Sequence, residues 1–389
     1  MRLAIPVLKF QKERSRPNTK ITKVTSYPVG KRLETPVRWG TMAVSTKGSV
    51  LVTVETDEGL TGIGEAGFSA EYFRTVGPVV NELLGPMIVG EDPTDIGRLW
   101  QRMFENTHMW GRRGVETYAL SGVDIALWDL LGKVAGLPVH RLLGARKSSV
   151  RAYLAPSLKG VGEIVPECVA GVEQGFTAVK LRIGGDAAEA RDLVSQVRRA
   201  VGDGVELAVD ANMAYDRRGA LDMARSLEQM GVIWFEEPVA THSLSQYIED
   251  HSWLSDRVSM KLAGGESLMT RFEYIDLLQR RTFDIVQPDA TGVGGISEAK
   301  RVADMTSAWN LTCIPHIACS SGTGVNLAAG LQVILACDSP LIEYDAYSGI
   351  GWEGFLVHPP QLENGWVKAP EGPGLGVELS PGARERFVL

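Results

Sequence analysis

Cysteine is scarce in this chain: four residues in 389, at Cys168, Cys313, Cys319 and Cys337. No two form a C-x-x-C pair and their spacing matches no zinc pattern, so all four are expected as buried free thiols of a cytoplasmic protein. Long apolar runs are missing too. No stretch reaches the roughly 18 apolar residues that span a bilayer. Residues 1–10 are too short, and too broken by Pro6 and Lys9, to serve as a signal peptide. Residues 11–20 are polar and mostly basic, so residues 1–20 read as a mobile leader. Positive charge is in deficit, 40 Lys and Arg against 47 Asp and Glu, for a net charge of −7. No basic run carries interleaved aromatics. Nucleic acid and membrane are therefore not the expected partners, while a small anionic substrate is admissible because local field outweighs net charge.

What is present is an ordinary globular composition, 44% hydrophobic and 22% charged, on a chain long enough for a barrel and a second, smaller domain. Residues 21–148 read as α+β. Strands are expected at 21–27, 49–55 and 60–65, the last two joined by the turn Asp57-Glu58-Gly59. Helices follow at 76–84 and 94–106. The clearest helix is 118–135, where Leu120, Val123, Ile125, Leu127, Trp128, Leu131 and Val134 repeat at helical spacing until Gly136 stops it.

From 149 to 345 the rhythm changes. Short apolar runs centre near Tyr153, Val179, Ala208, Trp234, Leu262, Ile285, Cys313 and Leu341, with helical stretches such as 187–200, 217–229, 271–279, 297–309 and 326–336 between them. Eight strands alternating with helices predict an α/β fold of the (β/α) barrel, TIM type. A doubly wound sheet is the alternative. It is disfavoured because candidate functional residues end at least six strands instead of gathering at one switch point. Residues 346–389 are rich in Gly and Pro and are expected to return to the first domain, closing it over the barrel.

Three acids end successive strands: Asp210, Glu236 and Glu266, separated by 26 (236 − 210) and 30 (266 − 236) residues. That is about one strand–helix unit, so a parallel barrel brings their carboxylates to one face. Like charges so close cannot all ionise without a cation, and an all-oxygen set suits a hard divalent metal such as Mg²⁺. Glu237 competes with Glu236, since alternation lets only one of the pair face inward. Lys180 and Arg182, two apart on the second strand, share a face and meet that acidic set. Asp289 and His316 end the sixth and seventh strands. Their contact would fix the imidazole tautomer and raise its pKa, as a general base requires. Asn212, two past Asp210, is a candidate for hydrogen-bonding substrate. Glu343 closes the eighth strand and is expected to be protonated, as a hydrogen-bond donor to an anionic substrate.

Together these residues resemble the enolase superfamily, and within it the mandelate racemase group, from residue 21 to the C-terminus. Gly62-Ile63-Gly64-Glu65 is similar to that family's capping-domain motif, Ser121-Gly122-Val123-Asp124-Ile125-Ala126-Leu127-Trp128-Asp129 to its helix, and Glu371-Gly372-Pro373-Gly374-Leu375-Gly376 to its C-terminal signature. The resemblance implies a modified (β/α)7β barrel, an α+β capping domain completed by the tail, and a homo-oligomer between dimer and octamer. It also implies Asp210, Glu236 and Glu266 as Mg²⁺ ligands, His316 with Asp289 as the catalytic dyad, and Glu343 as the acid touching the substrate carboxylate.

The implied reaction removes a proton α to a carboxylate, with Mg²⁺ stabilising the enediolate. That proton is less acidic than water, whose pKa is about 15.7. A histidine near 6.5 falls short by at least roughly 9 units, about 12 kcal/mol, which preorganised charge must supply. One departure from the family matters: its racemases carry Lys-x-Lys on the second strand, and here the second position is Arg182, a permanent cation and a poor base. One face then offers only cationic binding, or at best a repurposed Lys180, and with His316 as the one base dehydration of an acid sugar to a 2-keto-3-deoxy acid is favoured over a racemase, an epimerase or a cycloisomerase. Arg38, Trp39 and His108 are candidates for reading the sugar's distal end.

Overall fold

The computed structural model describes residues 19–39, 42–67, 73–145, 147–156, 161–318, 323–345 and 354–389. The side chains of 34–39, 42–44, 47, 73 and 161 are not among those described. Residues 1–18 of the expected leader, Cys319, and the side chains of Arg38 and Trp39 thus lie outside the description.

The first domain opens with an antiparallel sheet ordered β1 (Ile21–Trp39), β2 (Met42–Thr56), β3 (Thr61–Ala66). Gly59 turns β2 into β3 with φ +80, a left-handed conformation that favours glycine. β1 runs twelve residues past the expected end at 27 (39 − 27). Pro28 does not stop it because β1 is an edge strand, where a missing N–H costs no ladder bond. The expected helix 76–84 is divided by prolines: α1 (Phe73–Pro78), a π-helical turn (Val79–Leu84) and α2 (Gly85–Ile88). α3 (Ile96–Gly111) and α4 (Val115–Ala135) follow, then the short α5 (Val139–Leu142). Gly136 caps α4 in the left-handed region at φ +66.

The barrel alternates β4 (Ser149–Leu154), α6 (Val161–Glu173), β5 (Ala178–Arg182), α7 (Ala187–Val201), β6 (Glu206–Asp210), α8 (Arg217–Gln229), β7 (Val232–Glu236), α9 (Leu244–Ser255), β8 (Lys261–Gly264), α10 (Thr270–Arg280), β9 (Ile285–Val286), α11 (Gly295–Ala308), β10 (Thr312–Cys313), α12 (Val325–Ala336) and β11 (Leu341–Tyr344). Strands β4 to β10 pair in order and in parallel, and β11 pairs with β4. β10 and β11 share no pairing among the described residues. The ring closes inside instead: Tyr153, Ala178, Ala208, Trp234, Ala263, Ile285, Ile314 and Leu341, one from each strand or its end, form a single buried cluster. A core fed by all eight strands is a barrel interior, which a doubly wound sheet does not have.

The tail serves both domains. β12 (Leu362–Glu363) and β13 (Trp366–Lys368) form a hairpin that adds antiparallel to β4. After α13 (Ala383–Arg386), Val388 bridges Val29, and the Gly30 N–H donates to Phe387 O at 2.7 Å.

α4 is the joint between the domains. Ser121 Oγ accepts the Gly294 N–H at 2.9 Å, and Asp124 accepts both the N–H (2.9 Å) and the hydroxyl (2.6 Å) of Ser297, capping α11. Trp128 Nε1 donates to Ser297 Oγ at 2.9 Å. Asp129 accepts the N–H groups of Ile63 in β3 (2.9 Å) and Leu375 in the tail (2.8 Å). Glu65 in turn caps α12, accepting from Thr323 Oγ1 (2.7 Å) and Asn326 N (3.0 Å). Gly64 lets β3 touch α4: a Cβ there would stand 2.1 Å from Gly122 O.

Candidate active site

Residues at the C-terminal ends of the barrel strands converge. On β5 the period of two turns Lys180 and Arg182 inward together. Lys180 is fully buried, with Nζ 2.8 Å from Glu236 Oε1, 3.3 Å from Glu343 Oε2 and 3.9 Å from Asp210 Oδ2. Arg182 reaches Glu343 Oε1 at 3.3 Å and Asp210 Oδ2 at 3.8 Å. Asp210 and Glu236 are direct partners in the β6–β7 register.

The choice between Glu236 and Glu237 is visible in their contacts. Glu236 turns inward, accepting from Lys180, from Gln287 Nε2 at 3.0 Å and from Trp234 Nε1 at 3.3 Å. Glu237 turns away, accepting from Tyr247 OH at 2.5 Å and from Gly265 N at 3.3 Å. It sits at φ 37, a strained conformation for a non-glycine residue.

Across the mouth, His316 Nδ1 lies 2.8 Å from Asp289 Oδ2, and its Nε2 lies 3.1 Å from Glu266 Oε2 and 3.8 Å from Glu343 Oε2. The dyad is thus in contact, with Nε2 facing the acids. Asp289 is itself held by the N–H and hydroxyl of Thr291, both at 2.7 Å.

The electrostatics follow from packing five carboxylates (Asp210, Glu236, Glu266, Asp289, Glu343) around three cations (Lys180, Arg182, His316), with Glu237 buried behind them. Burial and the neighbouring Glu236 push Asp210 up to about 7. Burial also raises Glu266, and Glu236 adds to it although His316 opposes. Burial and then Glu266 hold Glu237 well above the ordinary range. For Lys180 burial pulls downward, but Glu236 and Glu343 outweigh it and the ammonium stays charged. Burial also opposes charge on His316, yet Glu266 and Asp289 push the ring up to about 10.

Glu343 corrects the sequence expectation. Burial favours its neutral form, but Lys180, His316 and Arg182 together hold it down to about 2, so it is an ionised acceptor. Tyr153 OH donates to it at 3.0 Å.

Asn212 departs from the strand alternation. At φ 42 its N–H folds back to Asp210 Oδ1 at 2.8 Å, and its Oδ1 is buried without a hydrogen-bond partner. His108 stacks on Phe104 with ring centroids 5.8 Å apart, and its Nδ1 bonds Glu105 O on the same helix. Those contacts do not bring it to the acids. Gln287, Trp234 and Tyr153 are contacts that the sequence reading missed. Gln287 was readable, since it stands two before Asp289 and shares its face.

As placed, no three His, Cys, Asp or Glu among the described residues stand close enough to hold an ion. The cations Lys180 and His316 take Glu236 and Glu266 instead. The residues nevertheless fit a hard cation. The donors are all oxygen, carboxylates outnumber cations, and Asn212 Oδ1 and Gln287 Oε1 are buried with no partner.

Known proteins agree with this architecture. Residues 21–144 match the family described as mandelate racemase / muconate lactonizing enzyme, N-terminal domain, and residues 163–383 match the enolase C-terminal domain-like family. An arabinonate dehydratase of Saccharolobus solfataricus is 33% identical over 343 residues, 87% of this chain and 90% of its own length. A D-galactarolactone cycloisomerase of Agrobacterium fabrum is 33% identical over 385 residues, 95% of this chain and 99% of its own. The crystal structure of the 3,6-anhydro-D-galactonate cycloisomerase from Zobellia galactanivorans superposes with a TM-score of 0.85 at 28% identity, covering 95% of this chain and 99% of that one. A capping domain bonded to an eight-stranded barrel, matched in both halves, makes this chain a member of the mandelate racemase / muconate lactonizing enzyme family of the enolase superfamily.

Proposed function

We propose that this enzyme is a Mg²⁺-dependent hydro-lyase that dehydrates an acid sugar, an aldonate or an aldarate, to a 2-keto-3-deoxy acid. One observation carries the reading: among the described residues the site has a single candidate base. His316 is bonded to Asp289, while the opposite strand offers Arg182, a permanent cation, and Lys180, fully buried among three carboxylates. A racemase needs bases on both faces of the α-carbon. A dehydratase needs one that takes the α-proton and then returns a proton to the departing β-hydroxyl.

Asp210, Glu236 and Glu266 are the residues that would hold Mg²⁺. When bound, the ion supplies positive charge to the substrate carboxylate as the α-proton leaves. In its neutral form His316 takes that proton at Nε2, with Asp289 on Nδ1 fixing the ring. Lys180 and Arg182 bind the carboxylate and hold negative charge, and Glu343 keeps both cations in place. Asn212 Oδ1 is an acceptor for a sugar hydroxyl. Arg38, Trp39 and His108 keep their proposed part at the distal end of the sugar. The same reading makes the protein a cytoplasmic homo-oligomer. No helix among the described residues is long and apolar enough to cross a membrane.

A cycloisomerase is the second reading, favoured by the relative that is aligned over 95% of this chain. Proton NMR of the enzyme with Mg²⁺ in D₂O, against mono- and diacid sugars and their lactones, separates the two. A new 3-deoxy methylene signal supports dehydration. Ring opening with every oxygen retained supports cycloisomerisation, and deuterium at C2 with inverted configuration and all hydroxyls intact overturns the one-base argument.

A further inference from the structure

Gln287 stands one residue past β9, fully buried, with its backbone N–H on Gly264 O at 3.0 Å. Its side-chain Nε2 donates to Glu236 Oε2 at 3.0 Å, while its Oε1 is buried with no hydrogen-bond partner. The amide cannot turn over to satisfy that oxygen, because Oε1 would then face the carboxylate acceptor-to-acceptor. A buried, unpartnered acceptor costs about 1–3 kcal/mol, and nothing in the packing requires a polar residue there: Ile285, on the same face one period earlier, is apolar.

Glu236 is held from two sides. Lys180 takes Oε1, while Trp234 Nε1 and Gln287 Nε2 take Oε2. Lys180 also bonds Glu343, so its hold on Glu236 is shared. Trp234 lies two residues before Glu236 on the same strand and donates at the longer distance of 3.3 Å. Gln287 follows β9, two strands from β7 in the sheet order, and holds the carboxylate from that side.

We infer that Gln287 is a positioning residue for the divalent-cation site: its N–H sets the orientation of Glu236, and its free oxygen receives a hydrogen from a water or hydroxyl in that site. The inference rests on Glu236 as a ligand, and the test separates the two. Mn²⁺ alone, without substrate, is titrated by electron paramagnetic resonance into wild type, Glu236→Gln and Gln287→Met, with melting temperatures measured alongside. Gln287→Met is expected to bind Mn²⁺ about 10–100-fold more weakly, with its melting temperature kept near that of wild type. Should it fail to fold, Gln287→Asn keeps the amide but withdraws it by one methylene, and the same weakening is expected. Affinity within twofold of wild type in a folded Gln287 variant, while Glu236→Gln has lost binding, overturns this inference alone. Wild-type affinity in Glu236→Gln overturns the ligand assignment and this inference with it.

Discussion

Val239 donates its backbone N–H to His251 Nε2 at 3.3 Å, and His251 Nδ1 faces Tyr247 O at 2.7 Å. One nitrogen accepts and the other donates, so the buried ring fits only as a neutral imidazole. Burial agrees, pushing it down to about 4. The folded pKa lies below the ordinary 6.5, so the unfolded chain binds the extra proton between them. Stability is therefore whole above 6.5 and falls as pH drops toward 4, by about 3 kcal/mol. Guanidinium unfolding at pH 7 and pH 4.5 should show a smaller acid loss in His251→Gln than in wild type. Equal losses would mean that the ring is not the group responsible.

Asp124 works in the opposite direction. Burial raises it to about 7 from an ordinary 3.8, even though Ser297 donates twice to it. Between those values the folded protein holds a proton that the unfolded chain releases, so stability declines as pH rises from about 4 to 7, by about 4 kcal/mol. Asp124→Asn removes the titration, and its unfolding midpoint should fall less than that of wild type across that window.

Glu236 and Glu237 are adjacent in sequence and opposite in facing. Calorimetric Mg²⁺ titration should show Glu236→Gln weakening binding at least tenfold, while Glu237→Gln, whose carboxylate serves Tyr247 and Gly265, changes it far less. The reverse order would reassign the ligand.

His316→Asn should lower turnover by about 10²–10⁴-fold, the usual worth of a general base, with fold and cation affinity intact. Substantial remaining activity would remove His316 as the base.

Much of this was legible in the chain because period carries geometry. The strand–helix spacing announced the barrel, and the period of two placed Lys180 with Arg182 and set Glu236 against Glu237. Quantities that depend on distant partners were not legible. The charge on Glu343 is decided by Lys180, Arg182 and His316, which stand 163, 161 and 27 positions away in sequence. The length of β1 depends on its being an edge strand, and the amide of Gln287 gains meaning only beside Glu236.

Among the described residues no ladder joins β10 to β11, and this bears on the geometry of the site. His316 lies just beyond β10 and Glu343 in β11, 3.8 Å apart. Elsewhere around the mouth backbone hydrogen bonds fix the spacing of neighbouring residues. Here Ile314 and Leu341, packed inside, set it instead. Among the described residues, the spacing between His316 and Glu343 therefore depends on the side-chain volumes of Ile314 and Leu341 instead of a backbone ladder.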